Sequence, residues 1–559
     1  MHATENLMSG AEPGAPETPR SPFALLRAQA ARFGDKPLLI LPRSVAALWG
    51  SEQTTWTYRQ VLGDVEALAA RYRAAGYRAG HRIAVLAENR PAHFVHWLAL
   101  NSLGISLVPV NPDYTSDELA YLLEHSESAL LVVVASRLAQ VEETAKALGI
   151  PVMLDDSAAI PAAATGAQPT SADVSAAECA LIYTSGTTGR PKGCLLSNTY
   201  FMAWGEWYTS QGGFVALRAG EERLITPLPT FHVNAMGNSF MGMLASGGAQ
   251  VIVDRFHPRS WWDMAIETGA TCFHYLGVMP AILLAIAPSE KDRVHNLRFG
   301  VGGGVHPDHH GAFEARFSVP LLEGWAMTES GGACLLCAVD EPRHIGERCL
   351  GSAERAGPQM EIRIVDDAGH DTAPGVPGEL LVRAAGTDPR RGLFSGYLKN
   401  EAATAEIWAG GWLHTGDVMR RDEDGSLYFV DRKKNIIRRS GENIAAVEVE
   451  GAIASHPGVA QVAVVAVLDP LRGEEVMAVV VAKDREMGSE ALAREILAHG
   501  AGQLAYYKLP GYVAFVEKLP TTSTQKIRKA DLGALAENPM SHPDCFDLRE
   551  AKQALRVKH

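Results

Sequence analysis

No apolar run in the 559-residue chain reaches the roughly 18 residues that a membrane-spanning helix needs, and "ALLVVVA" at 129–135 has only the length of a strand. The opening stretch "MHATENLMSGAEPGAPETPR" lacks an apolar core, carries an early Glu and is rich in Pro and Gly, so residues 1–21 read as a disordered lead rather than a signal peptide. Cysteine is scarce: seven residues, an odd number without regular spacing, exclude a disulfide framework and fit a reducing cytoplasm. An excess of basic residues is also missing. The formal net charge of −13 excludes a nucleic-acid surface as the main business, while leaving room for a local basic pocket for an anionic ligand. What remains is a cytoplasmic protein with no membrane span, too long for one compact core.

From about residue 80 strand and helix alternate. "HRIAVLAE" reads as a strand, and "NRPAHFVHWLALNSLG" opens with Pro91 and stops at Gly104, as a helix does. "SLVPV" precedes a helix opened by the capping box Thr115-Ser116-Asp117-Glu118; "ALLVVVA" and the helical "RLAQVEETAKALG" follow. A second series contains "AQVIVDRF", "SWWDMAIETGA", "TCFHYLG" and "MPAILLAIA". Such alternation builds doubly wound parallel sheets. From about Gly351 short strands and turns suggest a smaller β-rich subdomain, and after "DRKKNIIRRSGEN" an α+β module begins. The expected fold is α/β: a large N-terminal domain at 22–431, a hinge at 432–434, a mobile α+β domain at 435–533 and a peripheral tail at 534–559.

"YTSGTTGRPKGC", Tyr183 to Cys194, concentrates glycine and hydroxyl residues ahead of one lysine. Glycines allow successive N–H groups to converge on an anion, hydroxyls add donors, and Lys192 adds a charge. The Walker pattern is absent, because Arg190 and Pro191 separate Gly189 from Lys192 and no Ser or Thr follows the lysine. A bare loop of this kind is as often a flexible turn as a phosphate site.

The whole string resembles the signature loop of the adenylate-forming superfamily, which includes acyl-CoA synthetases, and further motifs follow in that family's order: "LPTFHVNA", "VGGGVHP", "EGWAMTES", "LHTGD", "DRKKNIIRRSGENI" and "LPTTSTQKIRK". The resemblance runs from about 22 to 533. It implies that Thr184, Ser185, Gly186, Thr187, Thr188 and Lys192 bind ATP phosphates, and that His232 borders the carboxylate pocket. It places Gly302, Gly303 and Gly304 beside adenine and the acyl group, Trp325 stacked on adenine, and Thr328 on the α-phosphate. Glu329 would hold Mg²⁺, Asp417 the ribose hydroxyls, and Arg432 ribose or phosphate. Gly441 would lie in the segment that frames the thiol's approach, Lys434 at the hinge, and Lys526 would be the adenylating lysine.

Ala326 and Gln525 stand where the family usually has Gly, and Trp325 replaces the commoner Tyr, keeping the stacking face but losing the hydroxyl. Lys433, Arg438 and Arg439 are candidates for the CoA phosphates, against the alternative of a solvated strand edge. "CLLC" at 334–337 reads as a buried strand rather than part of a zinc set, because its filling is apolar. The resemblance implies an ATP- and CoA-dependent ligase that activates a small-molecule carboxylic acid, with Mg²⁺ as cofactor and a homodimer as an admissible assembly. A carrier-protein loading enzyme and a non-catalytic nucleotide-binding derivative are the competing readings; retention of Thr328, Glu329, Asp417 and Lys526 together opposes the latter.

Overall fold

The computed structural model describes residues 18–164, 167, 170–184, 191–352, 360–439, 442–470, 472–484, 488–521 and 527–555, apart from the side chains of Lys434 and Asn443. Two mainly parallel sheets form the body of the large domain. In the seven-stranded sheet, strands Arg82–Leu86, Ser106–Pro109, Leu130–Val133, Val152–Leu154 and Glu178–Thr184 run parallel, and Lys192–Ser197 and Gly396–Tyr397 extend one edge antiparallel. The eight-stranded sheet has Arg223–Thr226, Ala249–Ile252, Cys272–Leu276, Phe299–Gly303 and Leu321–Trp325 parallel, with Leu336–Cys337 antiparallel at its edge.

The helix Pro91–Ser102 shows why the sheets lie as layers. Proline starts it, and "PAHFVHWLALNS" is apolar on nearly every face, a pattern that demands cover all round. Phe94 stacks on Phe240 of the helix Phe240–Ser246 at 4.3 Å, and one continuous core runs through both sheets. The capping box at Thr115 forms as the sequence indicates, with Glu118 reaching back to the Thr115 N–H at 2.9 Å.

The β-rich subdomain is a five-stranded antiparallel sheet that includes Gly378–Ala384, Leu413–Arg421 and Ser426–Arg432. One short turn, Lys433–Asn435, separates its last strand from Ile436–Arg439, the beginning of the small domain's own sheet. Asp431 ties this junction: Oδ1 accepts from Asn435 Nδ2 at 3.0 Å and Oδ2 from the Val447 N–H at 3.0 Å.

The peripheral tail is corrected. Strand Cys545–Asp547 pairs with Tyr512–Phe515, and Leu548 and Lys552 are buried, so described residues beyond 533 belong to the small domain. The polar text conceals a short strand whose Cys545 is buried and whose Phe546 packs against the small-domain core.

Candidate active site

Strands Phe299–Gly303 and Leu321–Trp325 are parallel neighbours, so the glycine turn and the Trp325 segment leave the sheet at the same edge. Ligands of open α/β sheets bind beyond the carboxyl ends of the strands. At Gly302 a Cβ would lie 2.3 Å from the Tyr275 carbonyl oxygen, and at Gly303 one would lie 2.9 Å from that of Gly324. Gly304 adopts a φ of 81°, and its N–H donates to Glu323 Oε2 at 2.9 Å while Val305 N–H donates to Oε1 at 3.1 Å. Burial pushes the Glu323 carboxyl up, against the pull of these two donors. Glu323 escaped the sequence reading; its one signal is a lone acid in the apolar strand "LLEGW".

Trp325 and Asp417 meet directly. The indole Nε1–H donates to Asp417 Oδ2 at 2.7 Å, and Arg432 Nε lies 3.4 Å from Oδ1. Asp417 and Arg432 are opposed across neighbouring antiparallel strands, which sets the second contact. Three of the residues named from sequence thus form one chain of contacts. Both carboxylate oxygens are engaged.

Glu329 is buried, and the Tyr397 hydroxyl donates to its Oε1 at 2.7 Å. Burial pushes this carboxyl up while the Tyr397 bond opposes the shift. Tyr397 lies opposite Cys194 on adjacent strands, and Lys192 Nζ stands 4.8 Å above its ring. Thr184 pairs with Lys192 across strands, and its Oγ1 lies 3.5 Å from the Lys192 carbonyl oxygen. The Thr328 carbonyl accepts from Tyr200 Oη at 2.8 Å. Tyr397 therefore joins the lysine of one motif to the acid of another, a role that "SGYLKN" does not advertise. A carboxylate is the hard oxygen donor that Mg²⁺ takes, and this ion is commonly held by one or two carboxylates with substrate phosphates, so Glu329 suits it.

His232, half-buried, precedes the π-helical turn Asn234–Ser239. Behind that turn His274 is fully buried, with Nδ1 2.7 Å from Ser239 Oγ and 3.1 Å from Asn234 Oδ1 and Nε2 bonded to Tyr208 Oη. Burial lowers the His274 imidazole to about 3. Ala326 is exposed.

Ser185, Gly186, Thr187, Thr188, Gly441 and Lys526 lie outside the described residues. The assignment of Arg439 to the CoA phosphates is corrected, because it is buried with its Nε 2.9 Å from both Glu475 oxygens. Lys433 pairs with Glu379 at 3.0 Å, and the exposed Arg438 with Asp367 at 3.0 Å.

Residues 26–398 match the family described as AMP-binding enzyme, and residues 448–526 match the AMP-binding enzyme C-terminal domain. The chain belongs to the AMP-binding enzyme family. This AMP-binding enzyme is 30% identical over 522 residues to crotonobetaine/carnitine–CoA ligase of Shigella flexneri, covering 89% of the present chain and 96% of that protein. It superposes on ATP-bound MatB from Rhodopseudomonas palustris with a TM-score of 0.76 at 24% identity, covering 93% and 99% of the two chains. The anthranilate CoA ligase AuaEII in complex with anthranoyl-AMP gives 0.78 at 21% identity, covering 93% and 98%. At these identities the two structures establish the shared fold.

Proposed function

We propose that this AMP-binding enzyme works in two steps at the edge formed by Gly302–Gly304, Trp325, Glu329 and Asp417, with Lys526 acting in the first step and the 436–445 hairpin in the second. The reaction class is ATP-dependent acid:CoA ligation with release of AMP and pyrophosphate. The observation that carries the site assignment is the contact chain Trp325–Asp417–Arg432, which unites three separate motifs around one buried carboxylate.

In the first step a substrate carboxylate oxygen attacks the α-phosphorus of ATP and the bond to pyrophosphate breaks. The indole face of Trp325 meets adenine, Asp417 accepts from the ribose hydroxyls, and the bare backbone of Gly302 and Gly303 lets the acyl adenylate lie close. Two anions must approach each other, so Lys192 and Lys526 screen the phosphates and Thr328 donates to the α-phosphate. Mg²⁺, when bound through Glu329, supplies further charge neutralisation.

In the second step the CoA sulfur attacks the acyl carbon, its proton leaves, and AMP departs from the mixed anhydride. Lys526 must vacate the site first. The small domain turns about the junction at Lys434, and the hairpin then frames the path of the thiol. His232 borders the acid, which is a small or medium carboxylic acid; the name of the Shigella flexneri relative puts betaine-like acids first in the panel to be assayed. No helix among the described residues is long and apolar enough to cross a membrane, and the reading places the enzyme in the cytoplasm.

Pyrophosphate release with ATP and Mg²⁺ across a panel of carboxylic acids, with and without CoA, tests this reading on the wild type and Lys526→Ala. Acid-dependent release that Lys526→Ala loses, with thioester formation from supplied acyl adenylate largely kept, is the expected result. Normal adenylation by Lys526→Ala would overturn the lysine's assignment.

A further inference from the structure

The family match ends at residue 526, yet the chain beyond it contributes the strand Cys545–Asp547 and the helix Arg549–Leu555. On that helix Lys552 is only 1% exposed. Its ammonium donates to Glu475 Oε1 at 2.7 Å, to the Tyr507 carbonyl at 3.3 Å and to the Leu509 carbonyl, which uses all three of its N–H bonds. Glu475, wholly buried, accepts at the same time from Arg439 Nε. One buried carboxylate thereby joins a cation of the last helix to a cation of the strand Ile436–Arg439.

Such a cluster is an inefficient source of stability, since desolvating ions costs about as much as their attraction returns, and apolar replacements are often neutral or better. Fixing a register is its best-attested use. Here the register belongs to the hairpin of Ile436–Arg439 and Glu442–Ala445, in which Arg439 opposes Glu442. Its base is held by apolar packing, with Ile437 and Ile444 inside the small-domain core. Toward its turn it meets the next strand, Gly473–Ala482, at one register position, Arg439 opposite Gly473. The residue that makes this backbone contact also carries the side chain that Glu475 grips. Glu475 is itself wedged, because a Cβ on Gly511 would lie 2.5 Å from its Cγ.

We infer that Lys552 is a positioning residue for thioester formation: through Glu475 it fixes Arg439, and with it the turn end of the hairpin that frames the thiol's approach. The inference rests on the two-step ligase reading above. Apolar packing secures the base of the hairpin without Lys552, so loosening the turn end spares the fold and the first half-reaction and acts on the second.

Lys552→Met removes the ammonium and keeps an unbranched stem. In the full-length protein, acid-dependent ATP–pyrophosphate exchange reads the first half-reaction, and conversion of supplied acyl adenylate by CoA reads the second. We expect exchange within about twofold of wild type and thioester formation slowed about tenfold or more, with a raised KM for CoA, as displaced reacting groups require. Lys552→Arg should regain part of the loss. Parallel loss of both half-reactions together with the thermal midpoint means a merely structural role and overturns the inference, as do unchanged thioester rates. If Lys552→Met is insoluble, Glu475→Gln is put through the same assays and judged by the same results. A wild type inactive in both assays overturns the ligase reading and the inference with it; a fully active wild type matched by Lys552→Met overturns the inference alone.

Discussion

The indole N–H of Trp325 donates to Asp417 Oδ2 at 2.7 Å, so the ring proposed to stack on adenine also holds the carboxylate proposed to receive the ribose. Replacing the commoner tyrosine by tryptophan therefore moves the polar handle rather than deleting it. Trp325→Phe keeps a stacking face and removes this donor, while the Arg432 contact at 3.4 Å remains. A hydrogen bond to a charged group contributes about 1.5–3 kcal/mol, so the KM for ATP in pyrophosphate exchange should rise roughly tenfold or more. A double-mutant cycle with Asp417→Ala should be strongly non-additive, because each single change removes the same bond. Additive effects would show that the pair does not act together.

Tyr397 offers a second test on the other side of the site. Tyr397→Phe strips the hydroxyl from buried Glu329 but keeps the ring beneath Lys192. Leaving a buried acceptor short of its donor costs about 1–3 kcal/mol, so exchange should slow roughly tenfold and the Mg²⁺ concentration for half activation should rise. Tyr397→Leu should fall further, by the additional ~0.5–2 kcal/mol that a cation over an aromatic face contributes. Equal behaviour of Phe and Leu would remove Lys192 from the account.

These two contacts show where sequence reading reaches and where it stops. The helix Pro91–Ser102 was legible because its proline start and apolar text are local, and the Thr115 capping box because its bonds span three residues. Arg439 was misread because a run of like charges looks the same whether solvated or buried, and its burial depends on Glu475, 36 positions on. Tyr397 was passed over because the acid it serves lies 68 positions away, and Lys552 because its partner lies 77 positions away. Pairings at that range are set by which strands and helices the fold makes neighbours and not by any pattern within one segment.

The glycine turn separates two costs that a consensus reading merges. A Cβ at position 302 would meet the Tyr275 carbonyl oxygen at 2.3 Å, backbone against backbone, so Gly302→Ala forces neighbouring strands apart. Overpacking of this kind costs about 1–3 kcal/mol, and the thermal midpoint and exchange activity should both fall. At Gly304 a Cβ meets open space and the only penalty is the φ of 81°, about 1–2 kcal/mol. Gly304→Ala should keep the Glu323 bond and more activity than Gly302→Ala; the reverse order in exchange assays would contradict the packing described.

His96 provides a prediction about acid stability. It is buried between Tyr72 Oη, 2.8 Å from Nδ1, and the Asp155 carbonyl, 3.2 Å from Nε2, and burial lowers its imidazole to about 4. An unfolded histidine titrates near 6.5, so between roughly pH 6.5 and 4 the unfolded chain holds a proton that the folded chain refuses. Its contribution to stability is therefore complete above pH 6.5 and is lost as pH falls toward 4. His93 and His274, lowered to about 3, act in the same direction. Glu323 and Glu329, which burial raises, work in the opposite sense, so the total acid limb mixes both. The difference between wild type and His96→Gln isolates one imidazole, since the amide can meet both partners without titrating. Between pH 6 and 4.5 the wild type should lose stability faster than the variant by roughly 1 kcal/mol per pH unit. Thermal midpoints measured across that window check it; parallel acid limbs would mean that His96 carries its proton in the folded enzyme.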